Sequence, residues 1–501
     1  MNKPYQLVIV GGGTAGWMFA TAASHLYSAK QLQIILIESE QIGSVGVGEA
    51  TLPQLQEFNK FVGIDEQDMM QKTNATVKLG IKFDDWGSIG NSYVHPFGQY
   101  GNKAKGNNIY QQWALANQDS AFLSLPQLSY AIQLCLNNKF ELPAQDPNQI
   151  KSTYSYAYHF DATLYAQYLR SISEQFGVTR IEGMIQTVSN HVQSGDIKSV
   201  TLKDGQVISG DFFIDCSGFR SLLLGDNLQT EFEDWSKWLI CDRAIAAPTE
   251  KLKTIPNYTL STAKEAGWQW KIPLQHRTGN GYVYCSDMIN EQAAMDSLLT
   301  NIEGKPLSDP KVLKFKAGRY AKTWNKNCVG IGLASGFLEP LESTSIYLIQ
   351  TAITSFLRLF PLNNKEVIAN EFNRNIDNEY DRIRDFLILH YHQNQRNDSE
   401  LWRYCQNMSV PDSLKEKMTL FEQRGYIDTY KYGLFNHGSW LSVLHGQGLR
   451  PKEIDPFTRG MSALEIQKQL EEFAAEIEES VYKVPRHNIF LQNYCPAKVK
   501  E

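Results

Sequence analysis

YQLVIVGGGTAGWM, residues 5–18, decides the fold. Tyr5 to Val10 is an apolar run of strand length, Gly11-Gly12-Gly13-Thr14-Ala15-Gly16 is a tight turn, and an amphipathic helix is expected from Trp17 to Tyr27. A second apolar run, Gln33 to Ile37, ends on Glu38, which completes a strand, glycine turn, helix, strand and acid of the dinucleotide-binding type. Each member has a physical reason. Gly11 permits the turn, Gly13 lets the backbone approach a pyrophosphate at a helix N-terminus, and Gly16 allows close packing. Glu38 is placed to accept hydrogen bonds from ribose hydroxyls.

Working outward, the segment after Glu38, GSVGVGEATLP, is a glycine-punctuated loop (Gly43, Gly46, Gly48) that leads through Glu49 to a helix starting near Pro53. Residues 184–218 alternate apolar and polar positions between SGD and DG turns, predicting a β-meander that ends on a strand running into Asp215-Cys216-Ser217-Gly218. Large FAD-binding folds insert a meander here, whereas simple NAD dehydrogenases do not, so FAD is the expected cofactor. A third strand, Val329 to Leu333, runs into glycines, and a helix is expected from Ser345 onward. Beyond about residue 346 the patterns are those of amphipathic helices.

Composition narrows the function classes. The 501 residues are 42% hydrophobic and 20% charged with a net charge of -6, which offers no electrostatic footprint for nucleic acid or an anionic membrane. The seven cysteines are scattered without a CxxC pair, so neither a disulfide framework nor a structural zinc is expected. No stretch reads as a membrane span or signal peptide, and a soluble, cytoplasmic chain is expected. His390-x-His392 lacks a further ligand at metal spacing and reads as packing, so no metal is expected.

Two further stretches carry chemistry. GWQWKIPL, residues 267–274, puts Trp268 and Trp270 on one face of an extended segment stopped by Pro273; alone, it reads as an aromatic core strand. VKLGIKFDDW, residues 77–86, alternates Val77, Leu79, Ile81 and Phe83 against Lys78, Gly80, Lys82 and Asp84; alone, it reads as a half-buried strand with two solvated lysines.

Trp-x-Trp-x-Ile-Pro together with GxGxxG resembles the signature pair of the flavin-dependent tryptophan halogenase family. GGGTAGWM, VGVGEATLP, KLGIKFDDW, HPFG, DCSGF, GWQWKIP, GFLEPLEST and IRDFLILHYHQNQRNDSELWRYC all resemble family segments, in the family's order. The resemblance implies an α/β fold with a Rossmann-like, flavoprotein-monooxygenase-like FAD module. Residues 1–345 would form that module, with inserted substrate-side segments at about 80–150 and 230–320, and the mostly helical 346–501 would complete the substrate site. It also implies FADH2 supplied by a separate flavin reductase, with oxygen and chloride or bromide giving hypohalous acid that a lysine delivers to an aromatic ring. A homodimer is left open.

Carried over residue by residue, the catalytic lysine is Lys78, four before the basic-Phe pair Lys82-Phe83, and the catalytic glutamate is Glu342, with Ser343 beside it. An ammonium can polarise hypohalous acid, or a neutral amine can itself be halogenated; both require shielding from bulk water. Backbone amides of Thr344 and Ser345 would hold the halide, although the family's usual glycine is here Ser345, which opens a preference for bromide. His95, Phe97, Trp268 and Trp270 would line the substrate region. Cofactor contacts would fall on Gly11, Gly13, Thr14, Ala15, Gly16, Glu38, Gly48, Glu49, Ile185, Leu333 and Ile346. Tryptophan-specific members also hold the amino-acid backbone with a Tyr-Tyr pair and a Glu; TYKYGLFNHGSWLSVLHGQG, residues 429–448, shows neither, so an indole-type substrate is expected. The rival readings are an FAD-dependent aromatic hydroxylase and a flavin-binding protein without chemistry. Retention of Lys78, Glu342 and the tryptophan motif argues against both.

Overall fold

The computed structural model describes residues 4–42, 49–101, 109–118, 122–360, 365–430 and 433–497, residues 49 and 365 by backbone only. It divides into two compact units, one of residues 1–75, 160–242 and 314–381, the other of residues 76–159, 243–313 and 382–501. Among the described residues no helix is long and apolar enough to cross a membrane.

The first unit is built on a six-stranded sheet, in the order Trp324–Asn325, Cys328–Gly330, Phe212–Asp215, Tyr5–Val10, Leu32–Glu38 and Thr179–Glu182. All but the edge pair are parallel, with Val8 opposite both Ile35 and Phe213. Leu7, Val8 and Ile9 are fully buried because a parallel strand is covered on both faces, which is why the sequence reads as a continuous apolar run. The meander strands Ile185–Asn190, Ile197–Leu202 and Val207–Ser209 pair antiparallel, and Ile185, Val200 and Ile208 pack against Val8, Ile37 and Phe213.

The sequence places a seam at 345/346, whereas the compact units divide at 381/382. The helix Ser345–Leu359 packs on the helices Thr14–Leu26 and Gln54–Phe61. Its Phe356 meets Phe19, Phe212 and Trp324 at ring-centroid distances of 5.5, 5.3 and 5.2 Å, so it belongs to the core of the first unit. The predicted strand to Leu333 stops at Gly330, because Gly332 turns the chain with φ +71°.

The second unit holds a seven-stranded sheet, in the order Lys311–Lys314, Arg243–Glu250, Arg277–Tyr284, Gly267–Pro273, Thr259–Lys264, Gly80–Asp84 and Ser92–Pro96. Register sorts its residues by face, since directly paired residues point the same way. Trp270 pairs with Ser261 and Gly281, Ser261 with Phe83, and Ile81 with His95, so the aromatic residues of the motif and His95 share one face. The other face carries Lys82 and Asp84, which form an ion pair 2.6 Å long with both side chains about a quarter exposed.

Residues 77–86 therefore do not form one strand. Thr76–Lys78 pairs antiparallel with Ala157–Phe160, and the chain enters the large sheet only at Gly80. Leu79 is the joint, its N–H donating to the Asn257 carbonyl and its carbonyl accepting from Phe97 N–H, both at 2.7 Å. Gly80 is required by backbone rather than by the lysine, since a Cβ there would lie 2.4 Å from the His95 carbonyl oxygen. This break separates Lys78 from Lys82, which periodicity had put on one face.

Candidate active site

In the first unit the glycine turn is arranged to leave a helix N-terminus bare. Gly11 sits at φ +111° and a Cβ would fall 2.2 Å from the Cys216 carbonyl oxygen; at Gly16 a Cβ would fall 1.9 Å from the Gly11 carbonyl oxygen. These two glycines hold the turn against its neighbours. Gly13 differs: it caps the helix Thr14–Leu26 with ordinary extended angles and no side-chain cap, and a Cβ there meets nothing within 4 Å. The first-turn N–H groups, including those of Thr14, Ala15 and Gly16, are left without intrahelical partners, a natural anion cradle.

Glu38 closes the second strand but already has partners. Its carboxylate pairs with Arg180 and Arg170, and Trp17 Nε1 donates to it at 3.3 Å. Asp215, fully buried, is engaged more completely: it accepts from the backbone N–H groups of Ser217, Leu223 and Leu224 and from the Ser217 hydroxyl. The carboxylate thereby locks the DCSGF turn, a role the sequence did not signal. Burial raises its pKa while these hydrogen bonds pull it down. Ile185 opens the first meander strand with its side chain in the core, Leu333 lies in the Gly332–Ala334 turn, and Ile346 is buried. Gly48 and the side chain of Glu49 lie outside the described residues.

The segment Pro340–Glu342 is a short 3-10 turn in which Glu342 is fully buried. Ser343 then takes φ +59°, a left-handed conformation unusual for a residue with a side chain, and this reverses the chain into the helix Ser345–Leu359. Thr344 occupies the N-cap without capping: its Oγ1 is buried and finds no hydrogen-bond partner among the described residues. The N-terminal amides of this helix, with Ser345 partly exposed, are not covered by a side-chain cap.

In the second unit Lys78 has no exposed surface, and its Nζ lies 5.0 Å from the centroid of the Phe97 ring. Most lysines on strands keep the amine in water, so the complete burial of Lys78 sets it apart from an ordinary surface lysine. His95, 2% exposed, stands 6.4 Å from Phe97, 5.6 Å from Phe386 and 6.1 Å from Phe435, and Phe386 and Phe435 stack at 3.8 Å. Trp440 closes on Phe386 at 5.0 Å. The result is an aromatic group around His95.

Trp268 and Trp270 are buried, 6.1 Å apart between ring centroids, and Trp270 Nε1 has no acceptor among the described residues. Gly281 makes room for Trp270, whose ring would lie 2.0 Å from a Cβ there. Phe386, Phe435 and Trp440 were missed in the sequence. The spacing of Phe386 and His390 reads only as an apolar helix stripe, and Phe435 lies in a loop. His390 and His392 are used in packing, donating through Nδ1 to the carbonyls of Phe386 and Cys405 at 2.8 and 3.1 Å.

With this geometry in place, the chain can be compared with known proteins. The tryptophan halogenase family profile matches residues 6–463. Tryptophan 6-halogenase SttH of Streptomyces toxytricini is 35% identical over 481 residues, covering 90% of this chain and 91% of that protein. Among solved structures, Xcc4156, a flavin-dependent halogenase from Xanthomonas campestris, matches with a TM-score of 0.96 at 42% identity over 100% of both chains. BrvH, a flavin-dependent halogenase from Brevundimonas sp. BAL3, matches with a TM-score of 0.94 at 40% identity over 98% of this chain and 99% of its own.

Proposed function

The chain belongs to the tryptophan halogenase family, and from that premise we propose how its residues divide the reaction. It is an enzyme, a flavin-dependent halogenase that acts on an aromatic substrate. The finer reading is that FADH2 arrives from a separate flavin reductase, that chloride or bromide is the co-substrate, and that an indole-type ring is the acceptor. Bound reduced flavin supplies, with oxygen and halide, hypohalous acid. Everything else falls to this chain's own groups.

The bare amides of the Gly13–Gly16 turn fit a pyrophosphate, because the space beside Gly13 is open and no side chain caps the helix. Amides of Thr344 and Ser345 take the halide, the buried Thr344 hydroxyl being an additional donor. Lys78 donates N–H hydrogen bonds to hypohalous acid and makes its halogen electrophilic, shielded from competing water. His95 and Phe97 flank the ring, and Trp268 and Trp270 line the same region. As the carbon–halogen bond forms and the oxygen–halogen bond breaks, the hypohalous oxygen leaves as water with a proton from the Lys78 ammonium; the ring is then cationic, and Glu342 stabilises that charge and takes the ring proton, which returns to Lys78 through solvent.

The observation that carries this reading is the complete burial of Lys78 beside Phe97 and the aromatic group around His95. Support for indole over free tryptophan comes from residues 429–448, which lack the pair and acid that grip an amino-acid backbone, and from Tyr430 there, already engaged by Arg382 and Lys417 at 4.3 and 4.2 Å. Mass spectrometry of a small indole panel, incubated with flavin reductase, NADH, FAD and either halide at equal concentration, tests it. Halogenated products are expected, several-fold faster with bromide; hydroxylated products would overturn the assignment, and clear chloride preference would overturn the bromide preference drawn from the Ser345 side chain.

A paired substitution tests the cofactor cradle. Gly11→Ala places a Cβ at a positive φ against the Cys216 carbonyl and should destabilise the fold by about 2–3 kcal/mol. Gly13→Ala should leave the melting temperature unchanged yet weaken FAD binding about tenfold or more, because its methyl enters only the space a pyrophosphate would use. Thermal denaturation and fluorescence titration with FAD read the two effects separately.

A further inference from the structure

Behind Lys78 lies a buried set of hydrogen bonds to which no step has yet been assigned. Thr76, two residues before Lys78, has its Oγ1 2.7 Å from the Pro273 carbonyl oxygen and 3.0 Å from His159 Nδ1. A carbonyl only accepts, so the single hydroxyl proton of Thr76 goes to Pro273, and His159 must donate through Nδ1–H. His159 Nε2, the other ring nitrogen, then accepts from the Thr259 hydroxyl at 2.9 Å. All three residues are nearly or fully buried.

A second imidazole approaches the same strand. Val77 N–H donates to His487 Nε2 at 3.3 Å, and His487 Nδ1 donates to the Ile255 carbonyl at 3.0 Å. Its burial lowers its pKa to about 4. Burial first, and then the nearby Lys78, hold His159 well below the usual histidine range. Both imidazoles are therefore held neutral, and neither adds positive charge beside Lys78.

We propose that His159 is a positioning residue for Lys78: by donating through Nδ1–H to Thr76 and accepting through Nε2 from Thr259 it links the Thr76–Lys78 strand to Thr259, and it leaves the Thr76 hydroxyl proton for the carbonyl of Pro273, the last residue of Trp-x-Trp-x-Ile-Pro. The tie crosses three strands. Thr76 pairs with His159, Thr259 pairs with Ile81 just beyond the Leu79 joint, and Pro273 ends the strand that carries Trp268 and Trp270. The His159 side chain thus links both ends of the break on which Lys78 sits, and orients the Thr76 hydroxyl that holds this strand to the tryptophan strand. The inference rests on the assignment of Lys78 as the halogen-delivering group.

Asparagine and glutamine separate the tautomers, since the Asn amide nitrogen matches Nδ1 and the Gln amide nitrogen matches Nε2. In His159→Gln the kcat for halogenation should fall by roughly 30-fold or more, with KM for the indole within about twofold, while FADH2 oxidation continues and hypohalous acid escapes to a β-diketone trap. His159→Asn should recover most of that loss. Labelling of Lys78 by acetic anhydride, read by peptide mass spectrometry without turnover, should rise in His159→Gln and return towards wild type in His159→Asn. Equal loss in both variants, or halogenation and oxidation falling together, overturns the proposal, as does unchanged labelling. A wild-type enzyme that halogenates nothing in the panel overturns the functional reading instead, and the labelling comparison still decides the positioning role.

Discussion

Lys78→Ala will lower the rate of halogenation by about 10³-fold or more, a loss of roughly 4 kcal/mol of transition-state stabilisation, and will leave FAD binding and FADH2 oxidation near wild type. The separation follows from where the lysine is. Its amine is fully buried against Phe97 in the second unit, and the groups assigned to the cofactor are other residues, on the glycine turn of the first. Lys78→Arg should not rescue: a planar guanidinium is larger, cannot present one compact charge, and is never neutral at working pH. Product mass spectrometry gives the first quantity, flavin absorbance the second, and a β-diketone trap should show hypohalous acid released at the rate FADH2 is consumed. Halogenation at more than about a tenth of the wild-type rate would remove Lys78 from the mechanism.

The cofactor-binding half of the fold was legible because its signals are local. Tyr5–Val10, the glycine turn and Leu32–Glu38 lie within 34 residues, and their neighbours along the chain are their neighbours in space. What the sequence could not display were contacts made over long separations. Leu79 stops one strand and starts another because Asn257 and Phe97 take its backbone groups, and nothing in VKLGIKFDDW announces either partner. Periodicity consequently put Lys78 and Lys82 on one face, although one is buried and the other pairs with Asp84 on the partly exposed face of the sheet.

The same reasoning explains the remaining differences. The seam expected at 345/346 follows a change of pattern from strand to helix, but Phe356 packs into the first unit, so pattern and packing diverge. Asp215 reads in the sequence only as the end of a strand, yet its oxygens accept four hydrogen bonds from residues just ahead of it. Glu38 looked free for a ribose, yet Arg170, Arg180 and Trp17 already meet it. Such roles depend on tertiary contacts, which an apolar or acidic letter does not encode.

Glu342→Gln should cost about 10²–10³-fold in kcat, with KM for the indole within twofold, because the replacement keeps volume and shape but loses the charge and the ability to take a proton. Glu342 sits at the end of the Pro340–Glu342 turn, fully buried, where Ser343 reverses the chain in a left-handed conformation. The carboxylate is thus held by a backbone that a side-chain isostere leaves intact, and stability should change by less than about 1 kcal/mol. The chemistry assigned to Glu342 comes after halogen transfer, which distinguishes this variant from Lys78→Ala. Once the base is gone, loss of the ring proton becomes slow, and an indole deuterated at the attacked carbon should show a kinetic isotope effect above about 2 in the variant but near 1 in the wild type. An unchanged isotope effect together with a large fall in kcat would instead assign Glu342 to stabilising the cationic ring, with proton removal passing to another group. A variant that halogenates at the wild-type rate would end its candidacy for either role.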